Sequence, residues 1–370
     1  MALSQHNAHT SVFRYSPQDG GAGEYHFMVR VSDPALSFED QLSAVMQAYG
    51  RETKGLTVLF RRFFLSDPAN QAALLQKALD DVESCATSII GQSPLDGTKL
   101  ALWVYCTDVP AARDGEWVHN GYRHIWTGGM LSGLEGSEAQ MSDIFGRYDG
   151  MLKTRGLSVA DSCIRTWIFV RDVDTNYAGV VKGRREYFDG IGLTPETHFI
   201  ASTGICGSNA DWRALVNMDA YAVGGLVSGQ VQFLHACDHL SPTALYGVTF
   251  ERGTAVTYGD RRHVFISGTA SIDSEGRIVH PSDPLRQTER MLENVGALLS
   301  EGGASFKDVA CSIVYLRDIA DYKPVEALIR RECPMLEPVY VLAPVCRPGW
   351  LVEMECLAVA PAAPNGFAAF

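Results

Sequence analysis

Apolar residues along this chain switch repeatedly between strand-like and helix-like spacing, and the same succession occurs three times. "TVLFRRFFLSD" (57–67), "SCIRTWIFVRD" (162–172) and "ACSIVYLRD" (310–318) are β-rich apolar runs ending in Asp. A segment of helical period follows each, at 69–82, 175–188 and 320–333, and another precedes each, at 37–52, 137–156 and 284–303. Two further strands close each copy: "SIIGQ…KLALWVYC", "HFIASTG…ALVNMDAYAV" and "VYVLAPVCRPGWLVEMECLAV". Copies two and three also share an opening strand, "YRHIWTGGM" (122–130) and "RRHVFISGTA" (261–270). The unit reads β-hairpin, helix, strand, helix, two strands. Copies are expected at 10–107, 108–235 and 236–370. The expected fold class is α+β, with mixed sheets that carry both helices on one face. Three such units can cover one another's open sheet faces around a threefold-like axis.

The last strand of the third copy, "VCRPGWLVEMECLAV" (345–359), poses a problem of charge. Glu353 and Glu355 lie two apart and so point to one face of a strand that reads as buried on both. Aligned on Leu100, Leu215 and Leu351, the inward face reads Leu100-Leu102-Val104, then Leu215-Asn217-Asp219, then Leu351-Glu353-Glu355. The acids concentrate in one copy, as in a triplicated scaffold with a single working site. An ion pair with a neighbouring strand is the structural alternative, because buried acids cost several kcal/mol unless paired. Glu353 is the candidate catalytic group: a desolvated carboxyl titrates near neutral pH and can deliver a proton. Glu355 and Asn217 are secondary candidates. Arg347, at the turn entering the strand, suits a substrate carboxylate. Cys346 beside it reads as a wall of the site, with no His partner to activate it.

Composition narrows the classes. The 370 residues are 46% hydrophobic and 20% charged, so a folded chain with a sizeable core is expected. The net charge of −12, with no Lys/Arg run, argues against a nucleic-acid partner. The nine cysteines are scattered without a C-x-x-C pair, which fits a reducing cytoplasm rather than a disulfide framework. Neither a signal peptide nor a run of about 18 apolar residues is present, so no membrane association is expected. "HACDH" (235–239) brings together His235, Cys237, Asp238 and His239, but an irregular segment is expected there and no metal. "TGGMLSGLEG" lacks the Lys-Ser/Thr of a phosphate loop. No cofactor is expected. Arg61 and Arg62, in an apolar strand, are expected to line an interface between copies.

"HVFISGTASID", the helix with its following strand "QTERMLENVGALLSEGGASFKDVACSIVYLRDIADY", and "LVEMECLAV" resemble the RidA (YjgF, endoribonuclease L-PSP) family. The likeness covers copy three, weakens in copy two, and in copy one is confined to element order. It implies a chorismate-mutase-like unit, in a family of homotrimers with sites between subunits that hydrolyse enamines and imines; here the trimer would be folded into one chain around a central barrel. Arg165-Thr166-Trp167, Gly183-Arg184 with Phe188, "ASTGICG", "SGTASI" and "VCRPGWLVEMEC" are similar to the chorismatases, long-chain relatives that cleave an enol ether. That resemblance implies Glu353 as general acid. It implies substrate binding by Arg347, Cys346, Arg165, Arg184, Tyr246, Ser267, Gly268 and Thr269. The expected partner is a small carboxylated metabolite, and the expected assembly a monomer or a homodimer of pseudo-trimers. A RidA-like enamine deaminase, or a metabolite binder without catalysis, are the alternatives.

Overall fold

Helices begin where the sequence supplies caps. Ser37, Asp67 and Asp283 each accept a hydrogen bond from the backbone N–H three residues on, and prolines at 68 and 284 occupy the first turn behind two of them. The computed structural model describes residues 8–17, 21–110 and 115–370, without the side chains of residues 244 and 246. The first third of the chain runs β1 (Ala8–Tyr15), β2 (Glu24–Val31), α1 (Phe38–Glu52), β3 (Thr57–Leu65), α2 (Pro68–Leu79), β4 (Ala86–Gly91), β5 (Ser93–Pro94) and β6 (Leu100–Thr107). The second runs β7 (Glu116–His119), β8 (Tyr122–Leu131), α3 (Ser137–Lys153), α4 (Val159–Ser162), β9 (Cys163–Val170), α5 (Val173–Gly190), β10 (Ala201–Cys206) and β11 (Val216–Gly224). The third runs β12 (Val231–Leu234), β13 (Gly253–Thr257), β14 (Arg261–Ala270), α6 (Pro284–Glu301), β15 (Val309–Leu316), α7 (Tyr322–Glu332), β16 (Val339–Leu342) and β17 (Val352–Pro361).

The architecture is α+β with three mixed sheets. Their strand orders are β1-β2-β6-β3-β4, β10-β9-β11-β8-β7, and β12-β13-β14-β17-β15-β16-β5. In each sheet the strand after the second major helix runs parallel to the one before it: β3 with β4, β9 with β10, β15 with β16. β5 leaves the first third to pair with β16, so the third sheet takes a strand from the first third.

Alternation along the closing strands separates two environments. Leu100, Leu102, Val104 and Cys106 pack with Val45 of α1 and Leu75 of α2. Met218 and Ala220 pack with Ile144 of α3 and Val180 of α5. The opposite faces share one cluster, to which all three sheets contribute. There Trp103 of β6 meets Trp126 of β8 and Trp167 of β9, each at 6.1 Å between centroids, and Tyr221 of β11 meets Phe265 of β14 at 5.5 Å.

This corrects the alignment of the first copy. The ladder pairs Phe64 with Ala101, Phe169 with Asn217 and Tyr315 with Glu353. The equivalent positions are therefore Ala101, Asn217 and Glu353, not Leu102. The leucines face the helices, and the inner face of β6 reads Ala101-Trp103-Tyr105. A one-residue slip on a strand exchanges its two faces.

Candidate active site

Glu353 lies on β17 between β14, where its partner is Ala270, and β15, where its partner is Tyr315. The β14–β17 register shifts between Ile266 and Thr269, and this bulge brings Gly268 against the carboxyl group. A Cβ on residue 268 would stand 2.3 Å from Glu353 Oε1, so any side chain there would displace the carboxyl group. Gly268 N–H donates to Thr203 Oγ1 at 2.8 Å, which holds the bulge against β10. Ser267 and Thr269 are fully buried and complete that turn: Ser267 donates to Glu251 O and accepts from Ser202 N–H, and Thr269 donates to Ser267 O.

Glu353 is 5% exposed and lines a cleft with Tyr177, Arg184, Arg252, Cys346 and Arg347. Burial pushes its carboxyl up to about 8, and the neighbouring Glu355 adds to the rise; Arg165 and Arg252 oppose it. Near neutral pH it is a protonated acid. Helix α5 forms the opposite wall. Tyr177 and Arg184, seven residues apart, fall on one face of it, and both line the cleft. Arg184 Nε donates to Thr249 Oγ1 at 2.9 Å. Arg252 enters from the start of β13 and donates to Ser241 O from Nε and Nη2. Arg347 lies over the Trp350 ring, 5.6 Å from its centroid. Cys346 is also in the wall; burial, then Glu353, push its thiol up to about 12, so it is no thiolate nucleophile near neutral pH.

The structure thus brings Glu353, Arg347, Cys346, Arg184 and Gly268 to one cleft. Arg165 and Glu355 it brings to each other instead. Arg165 Nη2 donates to Glu355 Oε2 at 2.7 Å and to Thr203 Oγ1 at 2.5 Å. Trp167 Nε1 donates to Glu355 Oε1 at 2.9 Å. Arg165 is 1% exposed and lines a second pocket, with Glu355, Trp103 and Trp167, rather than the cleft. Asn217 is buried on β11, in the position equivalent to Glu353 in the second sheet. Tyr246 ends a short 3₁₀ turn, Thr243–Tyr246, and its side chain lies outside the described residues. Arg62 bonds Asp219 of the second sheet, as an interface residue would, whereas Arg61 bonds Tyr49 and Thr87 of its own third. Among the described residues no group of three or more His, Cys, Asp or Glu is arranged to hold a metal, and His235 instead approaches Glu251 at 3.6 Å. No helix among them is long and apolar enough to cross a membrane.

Arg252, Tyr177 and Trp350 also line the cleft, and nothing in the residue pattern singles out Arg252 or Trp350. Tyr177 had a usable signal. It and Arg184 fall five and twelve residues after Asp172, and the same steps from Asp67 reach Ala72 and Leu79. Helix α5 carries polar groups where the corresponding positions of α2 are apolar. Arg252 and Trp350 stand in loops without a period, and only the fold brings them in.

The third sheet coincides with the match to a family model. The model described as Endoribonuclease L-PSP matches residues 253–360, which include Gly268 and Glu353. The 3-aminoacrylate deaminase RutC of Acinetobacter baylyi is 32% identical over 97 residues, 26% of this chain and 77% of that protein. The chain belongs to the RidA/YjgF (endoribonuclease L-PSP) family. A RutC family protein of Pyrococcus abyssi is 34% identical over 97 residues, 26% of this RidA-family chain and 76% of its relative. Beyond the matched third, the fold is similar to a crystal structure of a chorismatase, with TM-score 0.65 and 20% identity over 82% of this chain and 93% of that one.

Proposed function

We propose that this RidA-family chain hydrolyses a small anionic enol ether, with Glu353 as general acid. One observation carries the reading: a carboxyl group held neutral near pH 7 in a cleft that also offers Arg184, Arg252 and Arg347. An enol ether is cleaved after its terminal methylene carbon takes up a proton, which leaves an oxocarbenium ion on the carbon bearing oxygen. Water adds there, the hemiketal expels the alcohol, and an enolpyruvyl ether would end as an alcohol and pyruvate. The arginines suit the carboxylates of such a substrate. The chorismatase likeness makes chorismate the first compound to try.

The same reading takes the chain as three RidA-like units at 10–107, 108–235 and 236–370, arranged as a pseudo-trimer about a central barrel. It is supported by the aromatic cluster shared among the sheets. One inter-unit cleft is equipped because only it combines Glu353 from the third unit with Tyr177 and Arg184 from the second.

Pyruvate release from chorismate can be followed with a coupled dehydrogenase. Turnover is expected, and Glu353→Gln should lose at least about two orders of magnitude, the usual worth of a general acid. A second reading rests on the RutC relative, which is named for 3-aminoacrylate: protonation of an enamine carbon needs the same acid. If chorismate is inert while 2-aminoacrylate or 3-aminoacrylate is deaminated rapidly, this second reading replaces the first. If none reacts but Arg347→Ala abolishes ligand binding in calorimetry, the chain is a metabolite binder.

A further inference from the structure

Behind Glu353 lies a group of buried charges to which all three thirds of the chain contribute. Arg62 comes from β3, Arg165 from β9, Asp219 from β11 and Glu355 from β17; the most exposed of them, Glu355, is 3% exposed. Arg62 Nη2 meets Asp219 Oδ2 at 2.8 Å, Arg165 Nη2 meets Glu355 Oε2 at 2.7 Å, and Arg62 Nη1 stands 3.8 Å from Glu355 Oε1. Two guanidinium groups and two carboxylates cancel. Glu353 shares the strand face with Glu355 and would be a third carboxylate with no cation of its own in this group.

The link to Glu353 is short. Arg165 and the Gly268 N–H both donate to Thr203 Oγ1, and Gly268 is the residue packed against the Glu353 carboxyl. The other polar groups facing Glu353 are Tyr177 and Arg184 from α5, Arg252 from the start of β13, and Cys346 and Arg347 from the loop before β17. Of these, Arg252 is engaged with Ser241 O and Arg184 with Thr249. Arg165 and Arg252 both pull Glu353 toward ionisation; of the two, Arg165 is the one paired with a carboxylate, Glu355, which tempers how much of its charge Glu353 feels.

We propose that Glu355, by its own charge and by holding Arg165, is a positioning residue that keeps Glu353 in its neutral, proton-donating form. The inference rests on Glu353 being the acid of the proposed reaction, but its test needs no substrate. Removing Glu355 leaves two cations facing one carboxylate, and the surplus charge draws Glu353 toward ionisation. Removing Arg165 does the reverse. Removing both restores the balance. Such opposite signs are foreign to a residue that merely supports the fold.

The carboxyl stretch of neutral Glu353 can be assigned in infrared spectra by difference from Glu353→Gln and followed with pH. Glu355→Gln should lower the titration of Glu353 by about one pH unit or more, the scale of a close charge. Arg165→Gln should raise it, and the double variant should return it toward the wild-type value. If Glu355→Gln does not fold, the comparison of Arg165→Gln with the double variant decides, and the double variant must titrate lower. Glu353 titrating at one pH in every variant that folds overturns the proposal. Shifts of the stated signs in a protein that turns over none of the substrates tried uphold it and count against the enol-ether reading alone. In an active enzyme, the alkaline limb of the rate should move with the infrared titration.

Discussion

Burial makes ionisation of a carboxyl group costly, and at Glu353 it outweighs the opposing pull of Arg165 and Arg252, so this residue stays protonated. Its carboxyl is raised from the ordinary value near 4.5 to about 8. The native state therefore binds a proton that the unfolded chain releases between those two values. Proton binding stabilises the fold fully below about pH 4.5, and that contribution is lost as pH rises to about 8. Glu353→Gln removes the ionisable group but keeps its shape. In thermal unfolding the variant should match the parent near pH 5 and exceed it at pH 9. A parent as stable as the variant at pH 9 would mean that Glu353 ionises without penalty. The rate should be highest below about pH 8 and fall above it, as the acid loses its proton. At this scale the sequence was informative where a polar residue interrupted a strand period. Two acids in an apolar strand single out Glu353 and Glu355, but only coordinates separate the group facing the cleft from the one bonded to Arg165. The period is equally silent about Arg165, whose partners lie on β10 and β17.

At the scale of the element, the bulge in β14 is the device that turns an ordinary closing strand pair into a site. It inserts a residue between two ladder positions and sets Gly268 where a side chain would collide with Glu353. Gly268→Ala adds one methyl group at 2.3 Å from Oε1, so the carboxyl must move. Displacement of a reacting group by about 1 Å can cost about a hundredfold in rate. The variant should fold, keep its far-ultraviolet dichroism and lose about ten- to a hundredfold in turnover; undiminished turnover would show that the carboxyl's present position is not the working one. The main helices and strands were readable because apolar spacing follows burial, whereas the short α4 and β5 carry no period to read. The face of β6 was not, because Leu100, Ala101, Leu102, Trp103 and Val104 are apolar on both sides and carry no alternation from which to choose. Where one face held polar residues, as in β11 and β17, the register was plain.

At the scale of the whole molecule, the same charged group that abuts the site also joins the sheets. Arg62 from the first sheet and Asp219 from the second are both fully buried, and Asp219 also accepts from Gly129 N–H. The shared cluster already covers the inner sheet faces, so sedimentation should find a monomer or a dimer of such molecules; a homotrimer built through those faces would contradict the pseudo-trimer. The charge pair makes a sharper test of whether the thirds unfold together. Asp219→Leu leaves Arg62 buried with only the more distant Glu355, and losing one partner of a buried pair costs about 3–5 kcal/mol. Arg62→Met with Asp219→Leu removes both charges and fills the space with apolar groups, a change that is often near neutral. In urea unfolding the single variant should shift the midpoint far down, and the double variant should recover most of it. Both should keep one transition, because the pair lies between sheets rather than within one. If the single variant lost less than about 1 kcal/mol, or if the first third melted separately in the parent, the buried charges would not be what couples the sheets.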